Sequence, residues 1–524
     1  MTTVVGQQRG EDQHADPPDH PHPNAGKDGT EHLDVLVIGA GLSGIGAAHH
    51  LRVEAPWASY ALLEARDAIG GTWDLFRYPG IRSDSDMFTL GYPFRPWDGE
   101  RSIADGASIL RYIRATAAEG GIDRHVRYRH RVVRAAWSSD EARWLVTAEQ
   151  VGTGRTVQFT CSFLMSCTGY YRYDHGYMPD FAGMDRFGGT IVHPQQWPDD
   201  LDVRGKRVVV IGSGATAVTL VPALASTAAH VTMLQRSPTW IASLPGRNPV
   251  ADVLRRILPP AWAGPSIRWV MALSTLGLFE LSRRCPGIVR RALLTGAQRQ
   301  LPAGYDVATH FTPSYDPWDQ RLCVVPDGDL FAAIRGGSAS VVTDHIDTFT
   351  ATGLRLRSGA ELDADIVVAA TGLDLLFLGG IEFSVDGEAV DPAARVTYKG
   401  MMLQGVPNLA FAIGYTNASW TLKCELTCGH LTRVLRHLRA SGMRQCTPVD
   451  THPSPGAGSL LGLTSGYVRR SADQFPKQGA ADPWRVHQNY LRDYRSIRMH
   501  GIEDGTLVFS NPLPEQFPAA SARA

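Results

Sequence analysis

Residues 35–38 (VLVI) form an unbroken apolar run, too short for a helix and flanked by turn-forming residues. That is the pattern of a strand buried on both faces of a parallel sheet. The run leads into Gly39-Ala40-Gly41-Leu42-Ser43-Gly44 and then into small residues that predict a helix. A second apolar stretch, SYALLEA, ends at Glu64. The same order returns at KRVVVIGSGATAVTLVPAL. There residues 208–211 precede Gly212-Ser213-Gly214-Ala215-Thr216-Ala217, and HVTMLQRS closes on Gln235, Arg236 and Ser237. Two further apolar runs end in small turns, Cys167-Thr168-Gly169 and Ala370-Thr371-Gly372, each predicting a crossing between the two halves. The predicted class is α/β, with two Rossmann-like dinucleotide-binding domains and a helical insertion in the second.

The glycines carry the chemistry. They permit a tight turn, a close backbone approach to a pyrophosphate and tight packing of helix on strand. The helix N-terminus then offers free amide hydrogens to the phosphates. Glu64 is placed to accept from a ribose hydroxyl, which suits FAD. Arg236 stands where an acid would repel a 2′-phosphate, and an arginine can pair with one, which suits NADPH. A glycine-rich turn without ligand and a surface arginine without ligand are the plainer alternatives.

Composition narrows the classes. At 524 residues the chain can bury a large core, and its formal charge of −1 gives no field toward nucleic acid. The seven cysteines lack metal-ligand spacing, so reduced thiols and no metal site are expected; Cys424 and Cys428 share a helix face and predict packing. Residues 1–30 have no signal-peptide core and predict a disordered tail on a cytoplasmic protein. Residues 267–284 have an uncharged centre shorter than the roughly 20 residues that cross a membrane. A buried or partner-packing helix is expected there, with a helix lying on a bilayer surface as the alternative. Two-nucleotide flavoproteins include disulfide reductases, but EARDAIGGTWDLFRYPGIRSDSDMFTLGY contains no cysteine for that role.

That segment does carry Gly70-Gly71-Thr72-Trp73 and RYPGIRSDSD with Asp84. Downstream lies Phe187-x-Gly189-x-x-x-His193-x-x-x-Trp197-Pro198. With YDPWDQRLCVVP and GYTNASWTLK, these motifs make the chain beyond residue 30 resemble the class B flavin monooxygenases. The resemblance is to their Baeyer–Villiger branch, and within it to the actinobacterial subgroup that activates thioamide prodrugs such as ethionamide. It implies FAD and NADPH as cofactors, with O2 and a small-molecule or lipid-like ketone or sulfur compound as substrates. The ketone would become an ester or lactone through a C4a-(hydro)peroxyflavin. Gly71, Thr72, Trp73 and Asp84 would meet the flavin. Arg321 would supply a fixed positive charge at the reaction centre, with Asp84 setting its position. The bland readings are a salt bridge within the NADPH domain for Arg321 and a helix cap for Asp84. Many family members have lysine before that arginine; Gln320 stands here, leaving Arg236 to carry the 2′-phosphate almost alone.

Phe187, Gly189, His193 and Trp197 are expected as packing and hinge contacts at the domain junction rather than as a catalytic set. Near the end, a helix starting around Ser419 or Thr421 is expected with its N-terminus toward the flavin, or simply capped by Asn417 or Ser419. The expected organisation is an FAD-binding part (31–180), an NADPH-binding part (181–243), the insertion (244–320), the returning NADPH part (321–370) and the returning FAD part (371–524). The last of these includes a C-terminal pocket cover containing Trp484 and Asn489. Competing functions are a nitrogen- or sulfur-only flavin monooxygenase and an NADPH oxidase without organic product.

Overall fold

A computed structural model describes residues 30–450 and 458–512. The expected N-terminal tail lies outside the described residues, apart from Thr30. Two sheets organise the chain, each built around one of the apolar runs. In the first, Glu31–Ile38 pairs in parallel with Tyr60–Leu63 on one side and Arg155–Ser166 on the other. His130–Ser138 and Arg143–Gln150 extend it antiparallel, and Glu382–Val385 and Leu409–Phe411 join it from far downstream. Val35, Leu36 and Val37 are fully buried, as an apolar run sandwiched on both faces requires.

The second sheet is parallel throughout, in the spatial order Ala339–Thr343, His230–Gln235, Arg207–Ile211, Ile366–Ala369, Thr190–Val192. Register fixes where the loops emerge. Ile38 stands opposite Leu63 and Ser166, so Gly39, Glu64 and Cys167 leave the first sheet together. Ile211 stands opposite Leu234 and Ala369, so Gly212, Gln235 and Ala370 leave the second together. Ligands of open α/β sheets bind at such carboxyl ends.

Two close approaches explain why glycine is required in the first loop. A Cβ on Gly44 would lie 1.9 Å from the Gly39 carbonyl oxygen, and one on Gly39 (φ +99°) 2.7 Å from that of Cys167.

Between the strands Ile241–Leu244 and Cys323–Pro326, which pair in parallel, the chain makes the helices Pro249–Ile257, Pro260–Arg284, Pro286–Gln300 and Val307–Phe311. Proline opens the first three, its fixed φ and missing N–H costing nothing there. The apolar stretch expected over 267–284 begins earlier, at Pro260, and one side of it stays exposed. Among the described residues no helix is long and apolar enough to cross a membrane.

Candidate active site

A cavity of about 610 Å³ runs between the carboxyl ends of the two sheets. Its walls include Gly39, Gly41, Glu64, Gly71, Thr72, Trp73, Asp84, His193, Thr216 and Arg321. Gly44, Gly212, Gly214, Ala217, Arg236, Ser237, Phe187, Gly189 and Trp197 are not on its surface.

At the first loop the helix Leu42–Glu54 starts at Gly41 with no side chain capping its amides, leaving those donors for an anion. Glu64 is 5% exposed and accepts from the Ala40 amide (2.8 Å) and the Arg66 amide (2.9 Å). Burial pushes its carboxyl pKa up against those two hydrogen bonds. Each oxygen keeps a further lone pair for a hydroxyl donor. Beside it, Arg66 and Arg114 clasp Asp74 at 2.5 and 2.8 Å, while the buried Arg66 Nε has no partner among the described residues. Open amides, a fixed carboxylate and an orphaned donor fit a dinucleotide phosphate and ribose.

The second loop is built alike but left open. The helix Ala215–Leu224 starts uncapped at Gly214, where an added Cβ would meet nothing within 4 Å. Packing does not demand glycine there; a phosphate approaching the backbone would. The Ser213 hydroxyl ties this loop to the Ser237 carbonyl at 2.9 Å, bringing the exposed Arg236 to the end of the neighbouring strand. Among the described residues Arg236 has no hydrogen-bond or ion-pair partner, which leaves its charge available.

Asp84 and Arg321 meet across the cavity, Oδ2 to Nε at 3.1 Å. The capping alternative for Asp84 is displaced by Asp86. Asp86 Oδ1 accepts from the Thr89 amide at 2.9 Å and caps Met87–Leu90, which leaves Asp84 free. The partner of Arg321 is likewise not from the second sheet's own loops: Asp84 lies between the short helices Thr72–Leu75 and Met87–Leu90. Burial alone would lower the guanidinium pKa, but the Asp84 carboxylate and then Tyr170, Tyr171 and Tyr467 outweigh it, so the pKa is raised and the charge is permanent. Tyr78 stands beside Asp84 and reaches Thr216 of the second loop. Burial raises Tyr171 and Tyr467 to about 12, so both remain neutral donors.

These tyrosines were not among the predicted site residues. Tyr170 and Tyr171 follow Cys167-Thr168-Gly169 directly, and that position at a crossing was the available signal.

Of the four fingerprint residues, His193 lines the cavity, while Phe187, Gly189 and Trp197 pack within the part built on the second sheet. His193 Nδ1 accepts from the Gln195 amide (3.2 Å) and Nε2 faces the Gly372 carbonyl oxygen (3.2 Å), which together assign the Nε2–H tautomer. Burial lowers its pKa, leaving a neutral ring with both nitrogens occupied. Phe187 meets the Phe349 ring edge-on at 5.8 Å, Gly189 leaves no room for a side chain against the Asp365 carbonyl, and Trp197 packs on the second core.

The helix Trp420–Ser441 starts where expected, but neither proposed residue caps it. The Ser419 hydroxyl bonds Thr89 (2.5 Å), and the Asn417 amide donates to the Gln488 carbonyl (2.8 Å). Trp420 itself lines the cavity and donates to Ser43 at 2.8 Å. Trp484 and Asn489 of the expected C-terminal cover are off the cavity walls: Trp484 joins the first core against Tyr398, and Asn489 caps Tyr490–Asp493. Cys424 and Cys428 are buried in packing, and no metal-holding cluster occurs among the described residues.

Two open helix N-termini, on separate sheets and facing one cavity, define a two-dinucleotide flavoprotein fold. Comparison with known proteins agrees. Residues 37–97 match an NAD(P)-binding Rossmann-like domain, and residues 92–249 match a flavin-binding monooxygenase-like family. The FAD-containing monooxygenase EthA of Mycobacterium tuberculosis is 53% identical over 493 residues, 93% of this chain and 99% of that protein. The protein of the same name in Mycolicibacterium smegmatis is 52% identical over 484 residues, 92% of this chain and 98% of its own. The crystal structure of oxidized steroid monooxygenase bound to NADP shares the fold, with TM-score 0.70, 21% identity, 92% of this chain and all of that one covered. The chain belongs to the class B flavoprotein monooxygenases, in the family of the FAD-containing monooxygenases related to EthA.

Proposed function

We propose that the chain is an FAD- and NADPH-dependent oxygenase that inserts oxygen beside a ketone carbonyl, giving an ester or lactone, and also oxidises sulfides or thioamides. FAD and NADP(H) are its cofactors. Gly39, Gly41, Gly44 and Glu64 would hold the pyrophosphate and ribose of FAD, with Gly71, Thr72, Trp73 and Asp84 along the rest of the molecule. Gly212, Gly214, Thr216 and Ala217 would hold NADPH, with Arg236 and Ser237 at its 2′-phosphate. The bound flavin, reduced by NADPH, supplies an activated oxygen atom from O2.

The rest falls to side chains. A carbonyl under attack gathers negative charge on its oxygen, and the Arg321 guanidinium provides a fixed positive charge beside it. Asp84 holds that guanidinium in place without removing its proton, since arginine stays charged at any working pH. Tyr171, neutral and on the cavity wall, would donate a hydrogen bond there without adding charge. The ring of Trp420 excludes water from the same wall. Overall, NADPH, a proton, O2 and ketone become NADP+, water and ester.

The observation that carries this reading is the Asp84–Arg321 pair set between two open helix N-termini on one cavity. The test incubates the flavin-loaded protein with NADPH, a ketone panel and a thioether, followed by product identification by mass spectrometry. Ester or lactone is expected. Sulfoxide alone would reduce the activity to heteroatom oxygenation, and hydrogen peroxide alone would remove both.

A further inference from the structure

Ten of the twenty large apolar side chains that stand exposed among the described residues lie between Leu244 and Ile288. On the helix Pro260–Arg284 they form a stripe. Val270, Leu273, Leu278 and Leu281 recur at i, i+3, i+8 and i+11, the spacing of one helical face, with Trp262 two turns earlier. Trp262 is 69% exposed and Leu273 45%. The helix is anchored in its first half: Ile267 and Met271 pack with Phe88, and Ala272 packs with Tyr415 of the cavity wall. The exposed stripe is therefore apolar surface beyond what this anchoring buries.

The insertion is rich in arginine, although Arg247, Arg283, Arg284 and Arg290 are ion-paired with Glu100, Asp319, Glu280 and Asp316. Residues 244–300 contain nine arginines, no lysine, and only Asp252 and Glu280 as acids, in a chain whose overall formal charge is −1. Arg256, Arg291 and Arg299 are exposed and make no hydrogen bond or ion pair among the described residues. An exposed apolar stripe with a tryptophan at one end and arginines around it has the chemistry of a surface that rests in a lipid headgroup layer. Insertion across the bilayer is excluded for this helix by its length of apolar residues. A second copy is disfavoured, because a two-fold contact would set this arginine-rich surface against itself.

We propose that this insertion docks the enzyme on the surface of an anionic phospholipid bilayer, with the apolar stripe of Pro260–Arg284 entering the headgroup layer and the free arginines pairing with lipid phosphates. The inner side of the same helix touches the cavity wall at Tyr415, so a docked enzyme keeps its pocket beside a source of apolar substrates.

The test uses the flavin-loaded full chain, sedimented with vesicles of phosphatidylcholine alone or mixed with phosphatidylglycerol. Binding is expected to the mixed vesicles, weakening about tenfold or more at high salt as each arginine–lipid attraction is screened. Leu273→Glu with Leu278→Glu should weaken it by a further tenfold or so, because a charge replaces apolar contact in the headgroup layer. Both positions are exposed, so flavin loading should persist. Cys285, the exposed cysteine at the end of the same helix, allows a readout without substitution: an environment-sensitive dye there should shift to the blue on mixed vesicles. No sedimentation with mixed vesicles at low salt, or an unshifted dye, would overturn the proposal. So would a concentration-dependent dimer dissociated by the two glutamates, which would give the face to a second copy.

Discussion

The two glycine loops share a sequence grammar and differ in what surrounds them. At the first, Glu64 is buried and bonded to two amides, and the Arg66–Asp74–Arg114 cluster is locked beside it. At the second, Gly214 faces open space and Arg236 stands exposed without a partner among the described residues. An enclosed, preorganised site suits a cofactor that stays through every turnover; an open one suits a cofactor that arrives, gives up a hydride and leaves. The Asp84–Arg321 pair joins them, one residue from each side.

The comparison can be broken at four places. The largest effect is expected where the two sides meet: Arg321→Ala should lower ketone oxygenation by about 10²–10³-fold, the usual loss of a charge-stabilising group. NADPH should still reduce the flavin, as followed by stopped-flow absorbance. At the enclosed site, Glu64→Ala leaves the Ala40 and Arg66 amides without acceptors, each costing about 1–3 kcal/mol. The variant should lose flavin on dialysis and melt at lower temperature. At the open site, Arg236→Ala should raise the KM for NADPH by about 10–100-fold, the worth of one charge-assisted bond, with NADH kinetics and melting unchanged. Equal loss with both nucleotides would refute the role given to Arg236.

The smallest effect lies at the junction. His193 has a pKa below its unfolded value of about 6.5, so its contribution is complete above that pH. It fades as pH falls toward the folded value, at up to about 1.4 kcal/mol per pH unit. His193→Gln should flatten that part of the pH–stability curve, read by thermal unfolding between neutral and mildly acidic pH.

Much of this was legible in the sequence for a physical reason. Buried parallel strands and phosphate-binding turns need particular residues in a fixed local order, so residues 35–44 and 208–217 announce themselves. Asp84 was less clear because Asp86, two residues on, is an equally good cap; only backbone geometry decides which of them caps Met87–Leu90. The tyrosines around Arg321 come from positions 78, 170, 171 and 467, a convergence no local pattern encodes. The helix Pro260–Arg284 was less legible for a different reason. Its apolar residues run around much of its circumference, so periodicity did not say which of them would be buried and which exposed.

The central claim is that one oxygen atom passes from O2 to an organic substrate at the Asp84–Arg321 pair. Its most direct test is turnover of a ketone by the flavin-loaded protein with NADPH under oxygen-18 gas, read by mass spectrometry. The account predicts an ester carrying a single heavy oxygen, formed in step with NADPH oxidation and lost in Arg321→Ala. Unchanged ketone with NADPH consumed and hydrogen peroxide released would contradict it.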